Sequence, residues 1–160
     1  MRETIGSTWT IQLMMGFIFL FVSFLAVTIS YSKAFKVKNE VTSIIEKYGG
    51  FNTSSIKIIN NYVKTSSYKN KGKCPYDVGD QVIGVSQLND TTNGDKISSA
   101  SAGGYYYCVK KETIMNGTIS NTYYEITMFY KFNLPVMGNI ATFKVKGKTT
   151  DMTDIKRDLF

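Results

Sequence analysis

Residues Ile11 to Ile29 read IQLMMGFIFLFVSFLAVTI, and this stretch decides the fold class. A helix crosses the hydrocarbon core of a bilayer in about 20 residues, which is the length of the run. The charge-free region around it is longer still, from Thr4 to Ser32. A soluble domain has no use for such a segment, so a transmembrane helix is expected. The competing reading is a cleaved secretory signal, whose apolar region is typically about 7 to 15 residues, behind a basic start and ahead of a small-residue cleavage site. Here the run is too long, only Arg2 charges the front positively, and the best small-x-small triplet, Ser30-Tyr31-Ser32, is polar.

Past the span the apolar residues thin into a stripe at Ala34, Val37, Val41, Ile44 and Tyr48, spaced by three and four. That spacing is helical, and Val27 and Tyr31 continue it backwards into the span. One helix over residues 9–48 is expected, roughly 60 Å long, with Gly49-Gly50 as its C-terminal stop. Its outer half carries Lys36, Lys38, Asn39, Glu40, Glu46 and Lys47 on the polar side. The apolar stripe packs either on the chain's own domain or on a neighbouring subunit.

Residues 52–70 suggest a short second helix, with Thr53 and Ser54 as N-caps before Ile56, Ile59 and Val63. Residues 71–104 are rich in Gly, Ser, Asn and Lys and read as loops, with one strand at residues 81–88. The C-terminal third alternates more clearly. Residues 105–114 and 119–132 are aromatic and β-branched and flank Asn116-Gly117, a hairpin signal. Tyr124, Ile126, Met128, Tyr130 and Phe132 share one face by period two. Beyond Pro135 and Gly138, Ala141, Phe143 and Val145 share a face of a third strand. A three-stranded antiparallel meander packed on the helix follows. On the other face of the last strand, Lys144, Lys146 and Lys148 form a row that solvates an outer face or edge, or engages acidic polymers.

Both cysteines, Cys74 and Cys108, lie beyond the span, and an even count in an exported domain reads as one disulfide. The alternative is a pair of buried thiols in a cytoplasmic domain. Topology is expected to be N-in and C-out. Lys33, Lys36 and Lys38 after the span argue against it by the positive-inside rule, but long domains translocate largely regardless of that bias.

The formal charge is +7 in 160 residues, with no histidine. Histidine-based nucleophile pairs and metal sites are therefore excluded. No phosphate-cradling glycine loop appears, and no Ser-Lys dyad stands out. The lysines are scattered without an Arg-rich or aromatic-basic run, so nucleic acid is not an expected partner. Residues 89–95, NDTTNGD, resemble a calcium loop only in passing, because position twelve of that frame is Ala100 rather than a bidentate Glu. Neither an enzyme nor a cofactor is expected.

Two stretches, YSKAFKVKNEVTSIIEKYGG at 31–50 and YYEITMFYKFNLPVMGNIATFKVKGKTT at 123–150, resemble the TadE-like proteins, pilin-like components of tight-adherence pilus systems. The first has that family's aromatic-basic boundary, small residue and aromatic, and Asn-containing amphipathic segment ending in glycine. The second has its strand, Pro-containing turn, Gly and final alternating strand. The resemblance implies prepilin-type cleavage between Gly6 and Ser7 and assembly through the N-terminal helix. The family's acidic residue early in the mature helix has no counterpart in Ser7-Thr-Trp-Thr-Ile-Gln12, and an uncleaved chain beginning at Met1 is the alternative.

The expected architecture is α+β: a tail and transmembrane helix (1–32), an amphipathic extension (33–50) and an extracytoplasmic β-rich domain (51–160). The expected function is that of a structural pilin-like subunit, minor or filament-forming. Phe17, Phe21, Val22, Phe24 and Leu25, with Val37 and Val41, are its expected assembly surface. Its partners would be other copies or other pilin subunits, membrane lipid and the assembly machinery. The alternative is a monomeric membrane-tethered binding or adhesion module.

Overall fold

The computed structural model describes residues 2–75, 81–89, 94–97, 104–116, 119–134 and 138–153. It opens with one unbroken helix, α1 (Arg2–Lys47), of 46 residues. At about 1.5 Å per residue this is roughly 70 Å, longer than expected because the helix runs on N-terminally through residues 2–8. Its end is the expected one. The Gly50 N–H donates to the Ile45 carbonyl and the Gly49 N–H to the Glu46 carbonyl, with Gly49 at φ +65°. That paired arrangement satisfies two carbonyls the last turn would otherwise leave bare. Gly50 is itself under the Tyr124 ring at φ +135°, a position where a side chain has neither room nor a relaxed backbone.

The buried face of α1 is Ala34, Val37, Val41, Ile44 and Ile45. Tyr48, expected to close this stripe, is instead 40% exposed. It lies beyond the last helical residue, where the chain turns away, and Ile45 fills the place four residues after Val41.

Helix α2 (Thr53–Thr65) is capped by Asn52 rather than by Thr53 or Ser54. The Ser55 N–H donates to Asn52 Oδ1 and the Asn52 N–H donates to Ser55 Oγ, each at 2.9 Å. A serine here plays the reciprocal part that Glu or Gln usually takes three residues after the cap.

The strands are β1 (Gln81–Val85), β2 (Asp95–Lys96), β3 (Tyr107–Asn116), β4 (Ile119–Leu134), β5 (Gly138–Lys148) and β6 (Met152–Thr153). They form one antiparallel sheet in the order β2-β1-β3-β4-β5, and β6 pairs β4 beyond the end of β5. The expected meander is thus its β3-β4-β5 portion. Asn116 pairs with Ile119 across the hairpin. Gly117 of the turn signal, Pro135 of the second turn and most of the 89–95 loop lie outside the described residues.

Period-two alternation splits the sheet into two faces. Tyr107, Val109, Ile126, Met128 and Val145 face the helices and build the main core with α1, Ile59 and Val63. Cys108 and Phe129 point the other way and make a second cluster with Val82 and Ile97. Phe143 sits on the helix side of the edge strand yet stays 46% exposed. The side chains of Phe132 and Ala141 lie outside the described residues.

Tyr68 repairs the sheet where β3 leaves it. Tyr124 exchanges hydrogen bonds with Thr149 on the β5 side, so by alternation Phe129 offers its N–H and C=O toward β3. The pairing of β3 with β4 stops one residue short, at Tyr107 and Met128. The Phe129 N–H donates to the Tyr68 hydroxyl at 2.7 Å, and that hydroxyl donates to the Phe129 carbonyl. Burial pushes the Tyr68 phenol pKa far up, so it stays protonated and able to donate. Tyr68→Phe would leave both buried backbone groups bare. Urea unfolding is expected to show a loss of about 1–3 kcal/mol, and an unchanged midpoint would mean that the hydroxyl is dispensable.

Candidate functional site

The residues expected to assemble fall into two environments. Phe17, Phe21, Val22, Phe24 and Leu25 are 45 to 71% exposed, and none of the most apolar stretch of α1 is buried. Val37 and Val41 are wholly inside the protein's own core. Of the two partners left open for the stripe that follows the apolar run, the chain's own domain takes it. The large apolar side chains that α1 leaves uncovered therefore lie mainly upstream of Ala34.

Up to Val22 that upstream surface is exposed and predominantly apolar on every side, and beyond it one line, Ser23, Ala26, Val27 and Ser30, is half-buried. Its polar side chains are partly self-satisfied: the Ser23 and Thr28 hydroxyls donate to the carbonyls of Phe19 and Phe24, at 2.7 and 2.9 Å. Such back-bonding suits a hydroxyl with no water nearby. By length and composition α1 is able to cross a membrane. Gly6 and Ser7 fall in its first turns, and their side chains lie outside the described residues.

At the end of the charge-free run, α1 meets the sheet through aromatic rings. Tyr31 packs edge-on against Tyr130 at 5.6 Å, and Tyr130 stacks on Phe143 at 5.1 Å. Two of the lysines that follow the charge-free run have defined contacts. Lys33 Nζ donates to the Ser67 carbonyl at 3.1 Å, while the Lys38 side chain lies over Gly147 with its Nζ above the Phe35 ring.

Cys74 and Cys108 are disulfide-bonded, with Cα atoms 5.6 Å apart. The bond ties the segment after α2 across the outer face of the sheet. Gly72 bridges Tyr105 there and presses on the Phe129 ring so closely that a Cβ would stand 2.2 Å from it. The lysine row divides in two. Lys146 pairs with Glu125 at 2.7 Å; Lys148 pairs with Asp151 at 3.8 Å and covers the Tyr123 ring. Lys144 instead joins Lys71, Lys73 and Lys131 around an open cleft beside Gly72 and Phe129. Of these, Lys71 is already engaged, donating to the Ser86 carbonyl at 3.0 Å. Only folding brings residues 71–73 to residues 131–144, so no local sequence signal marked the cleft.

Tyr107 ties the helix layer to the sheet. Its hydroxyl donates to Asn60 Oδ1 at 2.8 Å, and Asn60 Nδ2 donates to the Asn89 carbonyl at 3.1 Å. Burial drives the Tyr107 pKa far up, so the phenol stays protonated and donates a neutral hydrogen bond. Among the described residues, no group of His, Cys, Asp and Glu gathers that could hold a metal ion. The chain matches no protein-family model, no curated protein and no solved structure.

Proposed function

We propose that this protein is a structural pilin-like subunit, minor or filament-forming, of a tight-adherence type pilus. In this reading it assembles through the N-terminal half of α1 and displays the disulfide-tied domain outside the cytoplasm. The observation that supports it is the division of one continuous helix. From Ala34 onward one face of the helix is domain core, while the turns up to Val22 expose large apolar side chains all round. A helix apolar on every side needs burial on every side, and a domain attached along one face downstream does not supply it. Lipid serves before assembly and other copies or other pilin subunits afterwards, with assembly machinery moving the chain between them.

The N-in, C-out orientation is part of the reading. The bonded cysteines suit an oxidising compartment, and Lys33 is occupied by the domain it travels with. Material sheared from cells is expected to contain high-molecular-weight filaments whose subunits begin at Ser7. A chain found solely as a membrane-bound monomer would favour the tethered binding module instead, for which the lysine-lined cleft is the supporting observation.

A further inference from the structure

The sheet face turned away from α1 and α2 balances its lysines at one end and leaves them bare at the other. Even-numbered residues of β3 and β5 and odd-numbered residues of β4 share that face, as the register requires. Toward β6 its lysines meet carboxylates: Lys110 pairs with Glu112 at 2.8 Å, Lys146 with Glu125 at 2.7 Å and Lys148 with Asp151 at 3.8 Å. Around Phe129 the pattern breaks. Lys144 stands opposite Phe129, and Thr142 opposite Lys131. Diagonal neighbours on one face are about 7–8 Å apart, so Lys131 and Lys144 form a like-charged diagonal. Elsewhere on the same two strands a diagonal, Glu125 with Lys146, joins opposite charges.

A third ammonium arrives with residues 71–74. The Cys74–Cys108 bond fixes one end of that segment, and Gly72 exchanges backbone hydrogen bonds with Tyr105 at 2.9 and 3.1 Å. Because Gly72 lies on the Phe129 ring with no room for a Cβ, the lysines on either side of it are held close to the sheet. The Lys71 ammonium is engaged by the Ser86 carbonyl and the Tyr106 ring. Lys73, Lys131 and Lys144 line the cleft, of about 550 Å³, with neither a hydrogen bond nor an ion pair among the described residues. No carboxylate among the described residues lines it either.

Three bare ammoniums, on strands and on a covalently tied segment, are complementary to more negative charge than one carboxylate carries. No arginine lines the cleft, so the planar, two-pronged match of guanidinium to carboxylate is absent. Compact ammoniums act instead as point charges and suit phosphate oxygens. Single-stranded nucleic acid offers phosphates too, but its bases need exposed rings on which to stack. The Phe129 ring at the cleft is fully buried. We infer that the cleft binds a base-free chain of phosphate groups, of the polyphosphate or polyol-phosphate class, with Lys73, Lys131 and Lys144 meeting the phosphate oxygens. The site belongs to the domain, so it stands whether or not α1 assembles with other subunits.

The full chain in an uncharged detergent is titrated with fluorescently labelled inorganic polyphosphate at low salt. Lys73→Gln/Lys131→Gln/Lys144→Gln is compared with Lys36→Gln/Lys57→Gln/Lys64→Gln, which removes the same number of charges from exposed positions of α1 and α2. An intact Cys74–Cys108 bond and native near-ultraviolet circular dichroism verify that both variants are folded. The cleft variant is expected to lose at least about tenfold in affinity, and its log K to depend less steeply on log salt, by about one for each lysine removed. The control is expected to lose less than about threefold, through net charge alone. Equal losses in the two variants, or no binding at low salt, overturn the site. Unlabelled polyphosphate is expected to displace the label at a lower phosphate concentration than orthophosphate, monomeric dihexanoyl phosphatidylglycerol or DNA. If any of these three competes as well as polyphosphate, the cleft takes a lone anion, a lipid headgroup or a nucleic acid, and the inference is overturned.

Discussion

Val22→Asp is expected to abolish assembly of the full chain while its domain stays folded. Val22 lies on the exposed half of α1, three turns before Ala34, the first fully buried residue of the helix. Once the subunit has left the bilayer, so that the alternative is water, neighbouring Phe21, Phe24 and Leu25 are each worth roughly 1.5–3 kcal/mol when a partner helix covers them. Several such residues per subunit outweigh an association cost of about 4–15 kcal/mol. A carboxylate among them reverses the balance locally. At the centre of an apolar helix, Asp costs about 2.5–3.5 kcal/mol on the insertion scale, which is roughly a hundredfold in each association equilibrium. Propagated along a filament, that leaves no measurable polymer in sheared fractions. The domain is unaffected because its core begins at Ala34, and an intact Cys74–Cys108 bond with native near-ultraviolet circular dichroism reads this directly. Val22→Ala, which removes bulk without adding charge, is expected to retain assembly. Normal filaments from the Val22→Asp chain would sink the assembly-helix reading in favour of the tethered module.

Removing the disulfide with Cys74→Ala/Cys108→Ala is expected to destabilise the domain by roughly 3–4 kcal/mol, from the chain entropy of a closed loop of this length. The cysteines are 34 residues apart in sequence, and their bond anchors the segment that lies across Phe129. Without it, the strap depends on the Gly72–Tyr105 bridge and the Tyr68 hydroxyl. For a domain of this size, the loss corresponds to a fall in Tm on the order of 10–20 °C. Urea unfolding of the full chain in detergent, with and without reductant, checks it. A loss below about 1 kcal/mol would mean that the unfolded chain already keeps these segments together.

Much of the architecture was legible because its signals are local and periodic. The charge-free run specifies an apolar helix by composition alone. The three-and-four spacing through Val41 and Ile44 carries that helix past the span, and Gly49-Gly50 ends it. Alternation over Tyr124, Ile126, Met128 and Tyr130 assigns their shared face without reference to any other part of the chain. Where a position's fate depends on which neighbour arrives first, local pattern was insufficient. Ile45 displaces Tyr48 from the stripe, and Asn52 rather than Thr53 caps α2. Strands of two residues, such as β2 and β6, leave too short a pattern to read.

The sequence by itself determined a long, partly amphipathic helix, a β-rich remainder and a cysteine pair free to bond. Only the tertiary structure decided that Val37 and Val41 belong to the protein's own core. It alone brought Tyr68 to the open end of β3 and set Tyr31 against Tyr130. It alone divided the lysine row between paired and cleft-lining residues. Apart from Lys148 with Asp151, these are contacts between residues well separated in sequence. Periodicity reports which face of an element is apolar; what that face meets is decided by how the elements pack.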